Sequence, residues 1–170
     1  MAIGAAIKRA RLENDFTQDE TARAIGVERT TLSKYENGKL NLPKDLRVPI
    51  CEYLDDALLT IEMYSEATNG ASIPYLDGPM VDTHHASLIN RAIRELREAK
   101  QHLKEFDTEK PIHLMTDYEI RYTRKSMWEC LDVAAIMLTL VANKCKWVEA
   151  SFQDEMKEWR KHLQQEQLIK

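Results

Sequence analysis

The sequence predicts an all-helical protein. Three observations carry that expectation. Only 5 Gly and 5 Pro stand in 170 residues, too few for the repeated tight turns of a sandwich or barrel. The Leu, Ala, Glu, Lys and Arg content favours helix, and apolar positions recur at three and four residues rather than at two. The expected organisation is a five-helix domain over 1–66, a linker over 67–82 and a three-helix antiparallel bundle over 83–170.

In the first helix, Ile3, Ile7, Ala10 and Arg11 form one stripe that stops at Asn14-Asp15. Thr17-Gln-Asp-Glu20 then reads as a capping box, with the Thr17 hydroxyl accepting from the Glu20 N–H and the Glu20 carboxylate reaching back to the Thr17 N–H. The second helix it opens ends at Gly26, which supplies the positive φ of a tight turn. A third helix runs from Glu28 to about Glu36 and closes at Asn37-Gly38, both tolerant of the left-handed region. Ala22, Ile25, Val27, Leu32, Tyr35, Ile50 and Leu54 fall on core positions by periodicity. Pro49 lies inside the fourth helix, which should therefore start near Asp45 or bend at the proline.

Four of the ten Gly and Pro residues (Gly70, Pro74, Gly78 and Pro79) cluster in Asn69–Pro79 and mark the linker. Beyond it, Leu88, Ile89, Ala92, Ile93, Leu96, Ala99, Leu103 and Phe106 stripe a long helix from Thr83 to Glu105. Thr116-Asp-Tyr-Glu119 is a second capping box, opening a helix to about Lys146. Its segment Val133–Ala142 is apolar on every side, so it must be covered all round. Phe152, Met156, Trp159 and Leu163 stripe a last helix. Three helices cover the central one poorly, and dimerisation through Val133, Ile136, Met137, Leu140 and Val141 is the expected remedy. Trp128, Trp147 and Trp159 all lie past the linker and are expected to anchor this second core.

Two short helices joined at a glycine turn are the working part of a helix-turn-helix, whose second helix enters the DNA major groove. The string from Thr17 to Gly38, with Thr-Gln, Ala, Gly, Leu-Ser and Tyr-Glu-Asn-Gly at fixed spacing, closely resembles the Cro/CI-type (XRE) helix-turn-helix family. That resemblance covers residues 3 to about 64 and implies a lambda-repressor-like fold there. It further implies that Thr17 and Gln18 meet the DNA backbone at the start of the second helix, where free N–H groups favour a phosphate oxygen. Arg29, Thr30 and Lys34 occupy the family's base-reading positions, and Arg29 has the fork to bond guanine O6 and N7. Ser33, Asn37 and Lys39 fall at phosphate contacts. Arg11 and Glu36 match a structural ion pair between the first and third helices. Taken singly, Lys34 and Lys39 also fit a solvated face, Arg29 a pair with Glu28, and Thr30 a helix start without a partner.

This chain departs from the pattern at Glu28, which stands where Ser or Thr usually caps the third helix. The cap is weaker, and a carboxylate faces a polyanion unless it accepts from cytosine N4. Residues 1–64 hold 9 Lys and Arg against 11 Asp and Glu, and the whole chain carries −4. Bulk positive charge is thereby excluded as a binding device, although a local basic face is not. A single domain should bind weakly, which again calls for at least a dimer.

Enzymatic chemistry finds no foothold. There is no Gly-rich phosphate loop and no HExxH, and His84, His85, His102, His113 and His162 show no metal-ligand spacing. The carboxy-terminal half also lacks the β-rich Ser–Lys domain of self-cleaving phage repressors. No catalytic residue, metal or cofactor is expected, and Asp132 either faces solvent or pairs with a cation such as Lys125. Cys51, Cys130 and Cys145 are odd in number and widely spaced, as reduced core thiols would be. Met1–Gly4 lead into Lys8, Arg9 and Arg11 without an apolar signal core, and Val133–Ala142 is short for a bilayer. The expectation is a cytoplasmic transcriptional regulator of the phage or mobile-element type, most simply a repressor. Its partners would be a double-stranded DNA operator, a second or further copies of itself and a protein antirepressor or other protein, with no membrane. The alternative is an antitoxin-like or inhibitory module that acts through the carboxy-terminal helices and uses its helix-turn-helix for autoregulation.

Overall fold

The computed structural model describes residues 3–105 and 110–170. Within them the regular structure is helical throughout: α1 (Ile3–Glu13), α2 (Gln18–Ala24), α3 (Arg29–Glu36), α4 (Lys44–Leu54), α5 (Ala57–Ala67), α6 (His85–Lys104), a short 3₁₀ turn (Ile112–Leu114), α7 (Asp117–Trp147) and α8 (Phe152–Gln165). Phe106, expected at the end of the α6 stripe, lies outside the described residues. The chain forms two compact units, one from Met1–Pro74 with Cys145–Lys170 and one from Tyr75–Lys144.

In the first unit, Ile7 and Ala10 of α1, Ala22 of α2, Leu32 and Tyr35 of α3, Ile50 and Leu54 of α4, and Leu59 and Met63 of α5 share one core. Of the core residues expected from periodicity, Val27 alone sits at the margin. The Thr17–Glu20 capping box is formed, with Glu20 N–H on Thr17 Oγ1 at 3.2 Å and Thr17 N–H on Glu20 Oε2 at 2.8 Å. The Glu20 carboxylate also accepts from the Thr17 hydroxyl at 2.7 Å, and these bonds from the Thr17 N–H and hydroxyl hold it below its ordinary pKa. α4 starts at Lys44 and continues through Pro49, forgoing one backbone bond. Asp56 caps α5 through the Leu59 N–H at 2.6 Å and accepts from Arg9 Nη2 at 2.9 Å, fastening α1 to α5.

α8 packs in this unit, whereas the sequence grouped it with the carboxy-terminal bundle. Buried Phe152 and the polar Gln153 tie it down: Gln153 Nε2 donates to Thr60 Oγ1 at 2.8 Å and its N–H to Asp55 Oδ1 at 3.3 Å. Further along the expected stripe, Trp159 is exposed.

The second unit is an antiparallel pair. Leu88 and Ala92 of α6 share a core with Ile136 and Leu140 of α7, His102 stands 3.5 Å from Glu129, and Glu105 accepts from the Tyr122 hydroxyl. Partners thus ascend α6 as they descend α7. Part of the expected linker belongs to this core, since Leu76 and Val81 pack against it. The Leu76 N–H donates to Thr139 Oγ1 at 2.9 Å, and that fully buried hydroxyl donates in turn to Ala135 O at 2.8 Å. Asn143 Nδ2 donates to Tyr75 Oη at 2.8 Å.

Ile136 and Leu140 therefore serve a core within the chain, Val133 and Met137 are half-buried, and Val141 is exposed. The tryptophans expected as anchors are not: Trp128, Trp147 and Trp159 all stand largely in solvent, because small and branched side chains fill this narrow core instead. Cys51 and Cys145 are buried, but Cys130 is exposed rather than a core thiol. Burial pushes the Cys51 thiol up to about 11. α7, at 31 residues with an 18-residue stretch of mean hydropathy 1.3, has the length and composition to cross a membrane. Its apolar run was expected to be too short. In the fold, Ile136 and Leu140 of that helix pack on α6 and the 75–82 segment.

Candidate nucleic-acid interface

The site is built on α2, the turn at Gly26 (φ 72°) and α3. Positive φ at that turn suits glycine, which has no Cβ to clash. A second glycine sets the floor: a Cβ on Gly4 would lie 2.0 Å from the Tyr35 carbonyl oxygen, so only glycine lets α1 run this close under the end of α3.

Beneath the surface, Arg11 and Glu36 form a buried bidentate pair, Nε to Oε1 at 2.6 Å and Nη2 to Oε2 at 3.2 Å. Arg11 Nη1 also donates to Phe16 O at 2.8 Å. Gln18 Nε2 completes the network by donating to Glu36 Oε2 at 2.7 Å. A buried pair of this kind stays favourable because each charge keeps several partners. The helix carrying Gln18 and the helix carrying Arg29, Thr30 and Lys34 are thereby locked to one internal reference.

Outside that network lies an open recess of about 310 Å³ lined by Gln18, Arg29, Thr30, Ser33, Lys34, Asn37 and Lys39. Three of the seven are cations and none is an acid, so the recess is positive within an acidic domain. An α-helix presenting such groups matches the depth and chemistry of a major groove. Gln18 keeps a second amide hydrogen for a phosphate after serving Glu36. Asn37 Nδ2 is held by Ser33 O at 2.7 Å, and the Lys39 N–H donates to Lys34 O at 2.8 Å as the chain turns at Gly38.

Two of the nine expected contact residues do not line the recess. Thr17 is occupied by the capping box. Glu28 sits at the start of α3 without capping it and instead accepts from Thr30 Oγ1 at 3.2 Å. Arg29 pairs with Asp19 across the helix-turn-helix at 3.7 Å, not with Glu28. Both partners are mostly exposed, so this pair contributes little and releases Arg29 readily. Sequence reasoning missed the Gln18–Glu36 bond and the role of Gly4. The placement of Gly4 within the α1 stripe was the available signal.

Residues 7–55 match the model of the helix-turn-helix family. The antitoxin PezA of Streptococcus pneumoniae serotype 4 (strain ATCC BAA-334 / TIGR4) is 44% identical over 50 residues, which are 29% of this chain and 32% of PezA. The chain thus spans about a third of that relative's length. No solved structure matches.

Proposed function

We propose, on the match of residues 7–55 to the helix-turn-helix family, that the chain is a DNA-binding regulator rather than an enzyme, and specifically a cytoplasmic repressor that occludes a promoter. Two copies would set two α3 helices in successive major grooves about 34 Å apart, over a pseudo-palindromic operator. The positive recess on α2 and α3 carries this reading, because it gathers seven polar or basic side chains on the one face that a groove admits. Selection from a random duplex pool on the full chain, at two salt concentrations, tests it. The expected product is an inverted repeat with half-sites about one helical turn apart, weakening with salt. No enrichment at either salt overturns it.

The similarity to an antitoxin favours a second reading. Here the carboxy-terminal helices bind and neutralise a protein, and the helix-turn-helix regulates the gene. The matched stretch covers 50 residues, 29% of this chain. A stoichiometric complex between the full chain and the product of an adjacent gene, formed without DNA, would support this reading. A chain that binds its operator and leaves that product free would reject it.

A further inference from the structure

α7 packs on α6 through Ile136 and Leu140. Earlier in the same helix, Arg121, Arg124, Lys125 and Trp128 follow one another at i, i+3, i+4 and i+7, the spacing of a single helix face. All four side chains are exposed. The Trp128 residue is 70% in solvent, although burial of so large a ring is ordinarily favourable.

The charges of this face are not spent within the fold. Elsewhere in the unit Arg91 and Arg94 share Glu95, and Lys110 takes Glu119 at 2.7 Å. Among the described residues no ion pair engages Arg121, Arg124 or Lys125. Residues 120–128 contain no acid, and the flanking carboxylates of Glu119 and Glu129 stand with Lys110 and His102. Glu105 acts on Lys125 through space, but its carboxylate already accepts from the Tyr122 hydroxyl and from Gln101. Three cations thus stand beside a solvent-facing aromatic ring in a chain of net charge −4.

We infer that this face of α7 binds single-stranded nucleic acid, the cations taking phosphates and Trp128 stacking on a base. Length and chemistry select that ligand. From Arg121 to Trp128 the helix rises about 10 Å, the axial length of about three stacked nucleotides in one strand. The cations ask for negative charge and the indole for an open π-face, and unpaired nucleotides offer both at once. A duplex offers its phosphates alone, because its bases are stacked on one another. A run of acidic side chains offers charge without a ring face. Anionic lipid surfaces are held by clusters of about four to eight cations, more than this face carries. The site shares no residue with the α2–α3 recess, so the inference goes beyond the operator reading and does not rest on it.

The test titrates end-labelled oligo(dT) and oligo(U), each of about twelve nucleotides, with the full chain by fluorescence anisotropy, over roughly 50 to 200 mM salt. Binding of either strand supports the inference, and the tighter one identifies the sugar that the face accepts. Replacing Arg121, Arg124 and Lys125 by Ala together should flatten the slope of log affinity against log salt by about 2, at about 0.7 per phosphate. Trp128→Ala should weaken binding at least about fivefold without altering that slope, and Trp128→Phe should restore most of the loss. Helicity by circular dichroism should be retained in every variant, since the four side chains are exposed. The inference is overturned by a wild type that binds neither strand at the lower salt, or by a triple variant that binds as the wild type does. Full affinity in Trp128→Ala also overturns it. A labelled oligo-glutamate peptide that binds as tightly as the strands would do the same and give the face to an acidic protein. No probe here is a duplex, so failure of this inference and failure of the duplex selection are read separately.

Discussion

The two units solve the same problem, burying the apolar stripes of amphipathic helices, in opposite ways. In the first, five helices surround a core from Ala6 to Met63 and are cross-tied by the buried Arg11–Glu36–Gln18 network. In the second, a core of Leu88, Ala92, Ile136 and Leu140 is clasped by the segment carrying Leu76 and Val81, and comparable apolar surface stays outside. A DNA-reading surface demands rigid placement, which a closed core supplies. The helical pair instead leaves apolar area outside its core.

The most severe way to break the contrast is to open the first unit from within. Glu36→Ala leaves the Arg11 guanidinium buried without its carboxylate and should cost about 3–5 kcal/mol in urea unfolding. A loss under 1 kcal/mol would mean that the network does not organise the domain. Next, Arg29→Ala should weaken operator binding by about 1–3 kcal/mol and relax specificity at one base pair per half-site, leaving unfolding nearly unchanged. Selection on that variant checks it, and unaltered specificity would remove Arg29 from the reading set. In the second unit, Thr139→Val keeps the shape but strands the Leu76 N–H, for about 1–2 kcal/mol. Hydrogen exchange at Leu76 should accelerate, and unaltered exchange there would show that the 75–82 segment is held by its apolar contacts alone.

The smallest effect is a pH dependence. Bonds from Lys110 Nζ and from the Thr116 backbone and hydroxyl draw Glu119 down to about 2 from an ordinary value near 4.5. A depressed carboxyl contributes stability above its unfolded pKa and loses it as pH falls through the folded one. The start of α7 should therefore fray between about pH 4.5 and pH 2. Glu119→Gln, titrated by NMR at the Thr116 amide, should abolish that dependence.

Much of the first unit was legible because its signals are local. The Thr17–Glu20 box, the Gly26 turn and the Asn37-Gly38 close each depend on residues a few positions apart. What escaped was decided at long range. The Gly70–Pro79 cluster has the composition of a linker, yet Leu76 is held by Thr139, 63 residues away. α8 bears an amphipathic stripe that any core could have used, and Gln153 selects Asp55 and Thr60. Val133–Ala142 is apolar on every side and so has no phase. Periodicity could not separate Leu140, which faces α6, from Val141, which faces out.

The position of Gln18 bears on how such a regulator can diverge. Arg29, Thr30 and Lys34 line the recess without entering the core, so on the proposed reading mutation there retunes the operator at little cost to the fold. Gln18 lines the recess and also donates from Nε2 to the Glu36 carboxylate. A change at that residue alters grip and architecture together, so selection for new targets should pass it by and act on its neighbours along α3.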